Sequence, residues 1–137
     1  MKARSRQWWV WAAVIIVCGL IVRRAPLHLP VPVQKYAGSI LWGAMVYAIF
    51  VAIFPKRRPL EIGVAAGIFA LVVELFKLVH TSWLDAFRLT LTGQLLIGKY
   101  FAMADILAYW IAIAAFAASD SFSQKRTKRV ESEPSNP

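Results

Sequence analysis

Four residues in this chain could do chemistry where chemistry is expensive: Glu74, Lys77, Asp105 and Tyr109 all stand inside or beside long apolar stretches. A charge facing lipid costs roughly 2 kcal/mol or more, so each charged group must turn toward protein. Their spacing agrees. Gly63, Gly67, Ala70 and Glu74 recur at i, i+4, i+7 and i+11, one stripe of a helix, with Lys77 beside it. Small residues let a neighbouring helix come close, so the stripe that packs also carries the charge. Asp105, Ala108, Ala112 and Ala115 read as a second such stripe, and Tyr109 lies one turn beyond Asp105. Two carboxylates on two packing faces predict one protein-lined pocket, with Arg88 the expected cation and Lys77 its competitor. Two readings stand side by side. Either carboxylate could bind a ligand or act as a general base; equally, Glu74 and Lys77 could form an ion pair that only fixes packing, and Asp105 could cap its helix.

His80, Asp85 and Arg88 fall in the stretch 80–103, which is too polar to span a membrane and too apolar for a free loop. Leu84, Phe87, Leu91 and Leu95 recur at i, i+3, i+7 and i+11, with Asp85, Arg88 and Thr92 on another face. This spacing predicts a short amphipathic helix at the interface or re-entering the bundle, bent or ended by Gly93 and Gly98. No second His or Cys stands at metal spacing from His80, which reads as a helix-end residue. Nucleotide-binding loop, zinc signature and nucleophile elbow are absent from the sequence, and no cofactor or metal is expected. Tyr109 and Trp110 also suit packing or an interfacial anchor.

The elements that must hold these residues are blocks of apolar sequence. Of 137 residues, 59% are hydrophobic, and they cluster rather than alternate, which argues for lipid as the solvent. The blocks run over Trp8–Val22, Tyr36–Phe54, Leu60–Val79 and Ala104–Ser119. The first lacks a small-residue cleavage pattern and reads as an uncleaved signal anchor. Pro26, Pro30 and Pro32 predict an irregular link after it, and the basic run 55–59 a tight loop. Cys18 lies within the first block, with no partner for an internal disulfide. The fold class is therefore all-α: a polytopic membrane protein with four transmembrane helices and a short interfacial or re-entrant helix between the third and fourth. Residues 1–119 form one membrane domain, and residues 120–137 are expected to be a disordered basic tail.

The net charge of +9 does not point to nucleic acid, because the Lys and Arg residues flank the apolar blocks and no aromatic residues interleave with them in a polar stretch. They set orientation instead. Lys2, Arg4 and Arg6, Lys56, Arg57 and Arg58, and the four basic residues of the tail fall on one side. Arg23, Arg24, Lys35, Arg88 and Lys99 fall on the other. The richer side stays in the cytoplasm, which predicts a multi-pass protein of the inner (cytoplasmic) membrane with both termini inside. Glu74 and Asp105 then lie near the outer surface, roughly 5 to 10 Å deep at 1.5 Å per residue.

The stretch from Val73 to Ala112, with Glu74, Leu78, Trp83, Asp85, Arg88 and Asp105, resembles a bacterial membrane family catalogued as domain of unknown function 2809. Lys35, Tyr36, Gly38, Leu41 and Trp42 are similar to that family's pattern as well. More distantly, Glu74 followed by Asp105 before a last helix resembles the VanZ-like proteins, whose namesake is associated with glycopeptide antibiotic resistance. Two positions depart: Lys77 stands where both groups usually carry Gln, and Ser39 where the family tends to have Asp. The leading functional expectation is a non-enzymatic envelope protein that binds a lipid or lipid-linked glycan at Glu74, Lys77, His80, Asp85, Arg88, Asp105 and Tyr109. The alternatives are an enzyme acting on such a lipid, with Glu74 or Asp105 as general base, and a partner that stabilises another membrane protein or a second copy of itself.

Overall fold

A computed structural model describes residues 2–25, 28, 30–97 and 101–132. Six helices follow in order: α1 (Lys2–Arg24), α2 (Val31–Ile53), α3 (Pro59–Phe76), α4 (Ser82–Leu89), α5 (Leu91–Leu96) and α6 (Met103–Ser132). No strand occurs among the described residues. α1, α2, α3 and α6 are each long and apolar enough to cross a membrane, which suggests a multi-pass membrane protein. The 18 residues of α3 extend about 27 Å, close to the thickness of a hydrocarbon core.

Local chemistry sets the boundaries. Pro32 sits in the first turn of α2 and Pro59 in that of α3, where a missing N–H leaves no helical bond unmade. The proline link is therefore shorter than its composition suggests, since α2 has begun by Val31. α2 ends at Ile53; the N–H of Phe54, its cap, reaches the Phe50 carbonyl before Pro55 stops the helix. α3 stops earlier than the apolar block: Lys77, Leu78 and Val79 donate to Glu74, Leu75 and Phe76, a tightening of the last turn to three-residue spacing.

The bundle is built on small residues. Gly63, Gly67, Ala70 and Glu74 are all buried along α3, as the spacing predicts, and α3 packs there on α6. At Gly43 on α2, an added Cβ would stand 2.9 Å from the Cα of Tyr109, so the two helices nearly touch through their backbones. On α6 the buried face is Asp105, Ala108, Tyr109, Ala112, Ile113 and Asp120. Ala115, expected on that face, is exposed. Ten residues from Asp105 bring it about 80° short of complete turns, at 3.6 residues per turn.

The expected single amphipathic helix is two helices. Thr90 takes an extended backbone conformation and its Oγ1 accepts from the Gly93 N–H at 3.1 Å, which ends α4 and caps α5. Gly93 is required by packing, since a Cβ there would stand 2.0 Å from the Phe87 carbonyl oxygen. Leu84 is buried, Phe87 half-buried and Leu91 exposed, so the apolar stripe turns away from the protein at the break. Gly98, and the surroundings of Leu95, lie outside the described residues. At the far end, α6 continues as helix past Ser119 to Ser132, and residues 133–137 lie outside the description.

Candidate functional site

Glu74 is fully buried and Lys77 is 4% exposed. They pair at 2.5 Å, one turn apart on α3. Tyr109 links the pair to α6: its hydroxyl accepts from Lys77 Nζ at 3.3 Å and donates to Glu74 Oε2 at 3.1 Å. The other carboxylate oxygen accepts the Ala102 N–H at 2.8 Å, just ahead of α6, where a negative charge suits the start of a helix. Both carboxylate oxygens of Glu74 are thereby engaged.

Asp105, in the first turn of α6, is held differently. Ser39 on α2 donates to its Oδ1 at 2.9 Å, and Lys77 lies 3.9 Å from Oδ2, beyond hydrogen-bond range. Both positions at which the chain departs from the resemblance, Ser39 and Lys77, thus stand beside Asp105.

These groups form one end of a cavity of about 640 Å³ between α1, α2, α5 and α6. Ser39, Lys77, Asp105 and Tyr109 line it; Glu74 does not. Toward the middle of the bundle its walls are Ile15, Ile16, Leu41 and Met45, and at its mouth stand Arg23, Gln34 and Lys35. Gln34 donates to the Val22 carbonyl at 2.8 Å, which fixes the register of α1 against α2. Trp42 donates to the Leu96 carbonyl at 3.2 Å and lies against Tyr109 with ring centroids 4.7 Å apart. These contacts hold α5 over the cavity and Tyr109 within it.

The remaining expected residues form a separate cluster. Arg88 is 3% exposed, but its guanidinium is taken up by Asp85 at 3.0 Å and by the Phe76 carbonyl at 2.9 Å. It caps the end of α3 and ties α4 to it. The expectation that Arg88 reaches the buried carboxylates is therefore corrected: Lys77, one turn from Glu74, already occupies that place. His80 contacts Asp85 at 3.3 Å, and both are well exposed. The residues expected in one pocket thus form two clusters, one of Glu74, Lys77, Asp105 and Tyr109, and one of His80, Asp85 and Arg88.

The family described as protein of unknown function (DUF2809) matches residues 28–113. The chain belongs to that family. The DUF2809 match takes in the whole buried cluster and most of the cavity wall, and leaves out α1 and the second half of α6. No solved structure matches the chain.

Sequence reasoning missed a second, partly buried ion pair, at the opposite end of the bundle and outside the DUF2809 match. Arg4 binds Asp120 at 2.6 Å, and Tyr47 donates to the same carboxylate oxygen at 3.1 Å. Arg4 also donates to the Pro55 and Arg57 carbonyls, so the first turn of α1 locks the α2–α3 turn and α6 together. The available signal was spacing: Asp120 follows Tyr109 by eleven residues, the interval that separates Glu74 from Gly63.

Proposed function

We propose that this DUF2809 member is a small multi-pass protein of the cytoplasmic membrane that binds a lipid or lipid-linked envelope component in the cavity between α1, α2, α5 and α6. The observation that carries the reading is the polarity gradient along the cavity. With the register fixed at Gln34 and Val22, the mouth holds Arg23 and Lys35, the level of Ser39 and Asp105 is polar, and Ile15, Ile16 and Met45 lie beyond. Along α2 the distance from Lys35 to Ser39 is about 6 Å and to Met45 about 15 Å. A membrane amphiphile has that gradient over a similar length, and the volume lies within the usual range of ligand sites.

The excess of Lys and Arg at the amino end, the α2–α3 turn and the tail supports an orientation with both termini in the cytoplasm, which turns the cavity mouth outward. Glu74 serves to hold α3 and α6 in place. Were the protein an enzyme on a lipid-linked substrate, Asp105 would be its general base, as the one carboxylate on the cavity wall among the described residues. The distant likeness to VanZ-like proteins, through Glu74 and Asp105, fits a role in the envelope.

Gly38 and Gly19 line the cavity, and a Cβ at either would meet no atom within 4 Å. Gly38→Leu or Gly19→Leu therefore fills the cavity without displacing a helix. Lipids that co-purify with the wild-type protein, identified by mass spectrometry, should include a defined species lost from both variants while their unfolding temperatures stay close to wild type. An unchanged lipid profile would remove the reading.

A further inference from the structure

Resting on the amphiphile reading above, we propose that the cavity selects a phosphate-bearing amphiphile, with the phosphate at Arg23 and Lys35 and one chain running inward past Ile16 and Met45. Among the described residues, four charged side chains line the cavity: Arg23, Lys35, Lys77 and Asp105. Lys77 is neutralised by Glu74 at 2.5 Å and stands beside Asp105. Arg23 and Lys35 have no carboxylate within 4.0 Å among the described residues. Both are exposed at the mouth, and the Gln34 bond to Val22 sets them at one level on two neighbouring helices.

Two cations at one level, at the mouth of an apolar cavity, favour an anion there. The planar guanidinium of Arg23 suits two phosphate oxygens at once, and the Lys35 ammonium adds a point charge. About 6 Å further in, Asp105 has only the Ser39 hydroxyl as a short donor. As an acceptor-only group on the cavity wall, it can accept from a hydroxyl that the bound molecule carries near its headgroup. A cationic headgroup would meet Arg23 and Lys35 first. A neutral headgroup would leave both charges unanswered.

The test uses the full-length protein in dodecyl maltoside micelles and native mass spectrometry. The probes are decyl phosphate, a neutral decyl polyoxyethylene ether, decyltrimethylammonium and inorganic phosphate. Decyl phosphate should form a one-to-one adduct, and Arg23→Gln and Lys35→Gln should each weaken it by about fivefold, the scale of one partly exposed ion pair. Both exposed residues can be replaced without disturbing the bundle. Gly38→Leu should abolish the adduct, and inorganic phosphate at equal concentration should not displace it. If the three decyl compounds bind alike and the Gln variants are indifferent, the phosphate assignment is wrong and amphiphile binding stands. Preference for decyltrimethylammonium overturns the assignment too. Displacement by inorganic phosphate would make this a free-anion site instead. No adduct sensitive to Gly38→Leu with any decyl compound would remove both the assignment and the reading beneath it.

Discussion

Replacing Lys77 by Met should be among the most damaging single changes in the chain. Lys77 and Glu74 are 4% and 0% exposed, so water cannot screen a charge left behind. Removing one member of a buried pair costs about 3–5 kcal/mol, because the other is stranded in a low dielectric. Here the stranded Glu74 keeps the Tyr109 hydroxyl and the Ala102 N–H, which places the loss near the lower end, about 3 kcal/mol. Glu74→Gln alone leaves Lys77 with Tyr109 as its short partner and Asp105 at 3.9 Å as its nearest carboxylate. The pair Glu74→Gln with Lys77→Met removes both charges of the pair; Gln can still accept from Ala102, and Asp105, which loses Lys77 at 3.9 Å, keeps the Ser39 hydroxyl. The double variant should therefore lie within about 1.5 kcal/mol of wild type, a coupling of roughly 3 kcal/mol or more in the cycle. Unfolding of purified protein by denaturing detergent, followed by tryptophan fluorescence, measures all four corners. Additive losses would refute the reasoning, since they would mean that neither charge depends on the other.

Gly43→Ala should destabilise the bundle by about 1–3 kcal/mol, as expected of overpacking, because its Cβ would meet the Tyr109 backbone at 2.9 Å. Gly38→Ala, with open space at the same helix, should be neutral or stabilising by up to about 1 kcal/mol, and equal losses in thermal unfolding would contradict the packing described. At the opposite end, Arg4→Gln removes the charged partner of Asp120 and should cost about 1.5–3 kcal/mol. Asp120→Asn keeps a group that can accept from Tyr47 and should cost less, which unfolding of the two variants would show. A Cys at position 2, with Cys18 replaced by Ser, should resist an impermeant thiol reagent in intact cells, and ready labelling would reverse the orientation.

Much of the fold was legible in its four apolar blocks: each coincides with a helix long and apolar enough to cross a membrane, and a stretch that apolar satisfies its backbone within a helix. The Glu74 stripe was legible for the same reason, since eleven residues make nearly whole turns and small residues must be covered. Arg88 was misplaced because sequence spacing carries no information about the orphan carbonyl of Phe76, which takes its guanidinium in the folded chain. The split at Thr90 depends on a hydroxyl cap and a close approach at Gly93, both defined only once α4 and α5 are placed. Arg4 and Asp120 lie beyond the apolar windows at the two ends of the sequence, so hydropathy assigned them to flanks although packing buries Asp120. The cavity itself arises between four helices and has no local signature.

The central claim is that the cavity holds a particular amphiphile rather than bulk lipid, and site-specific photo-crosslinking in intact membranes tests it most directly. A crosslinking residue at Leu41 faces the cavity, while one at Val72 is exposed on the outer surface of α3. The account predicts adducts at position 41 dominated by one phosphate-bearing lipid class, and adducts at position 72 that mirror the membrane's bulk composition. The same lipid mixture at both positions, or no lipid adduct at position 41, would contradict it.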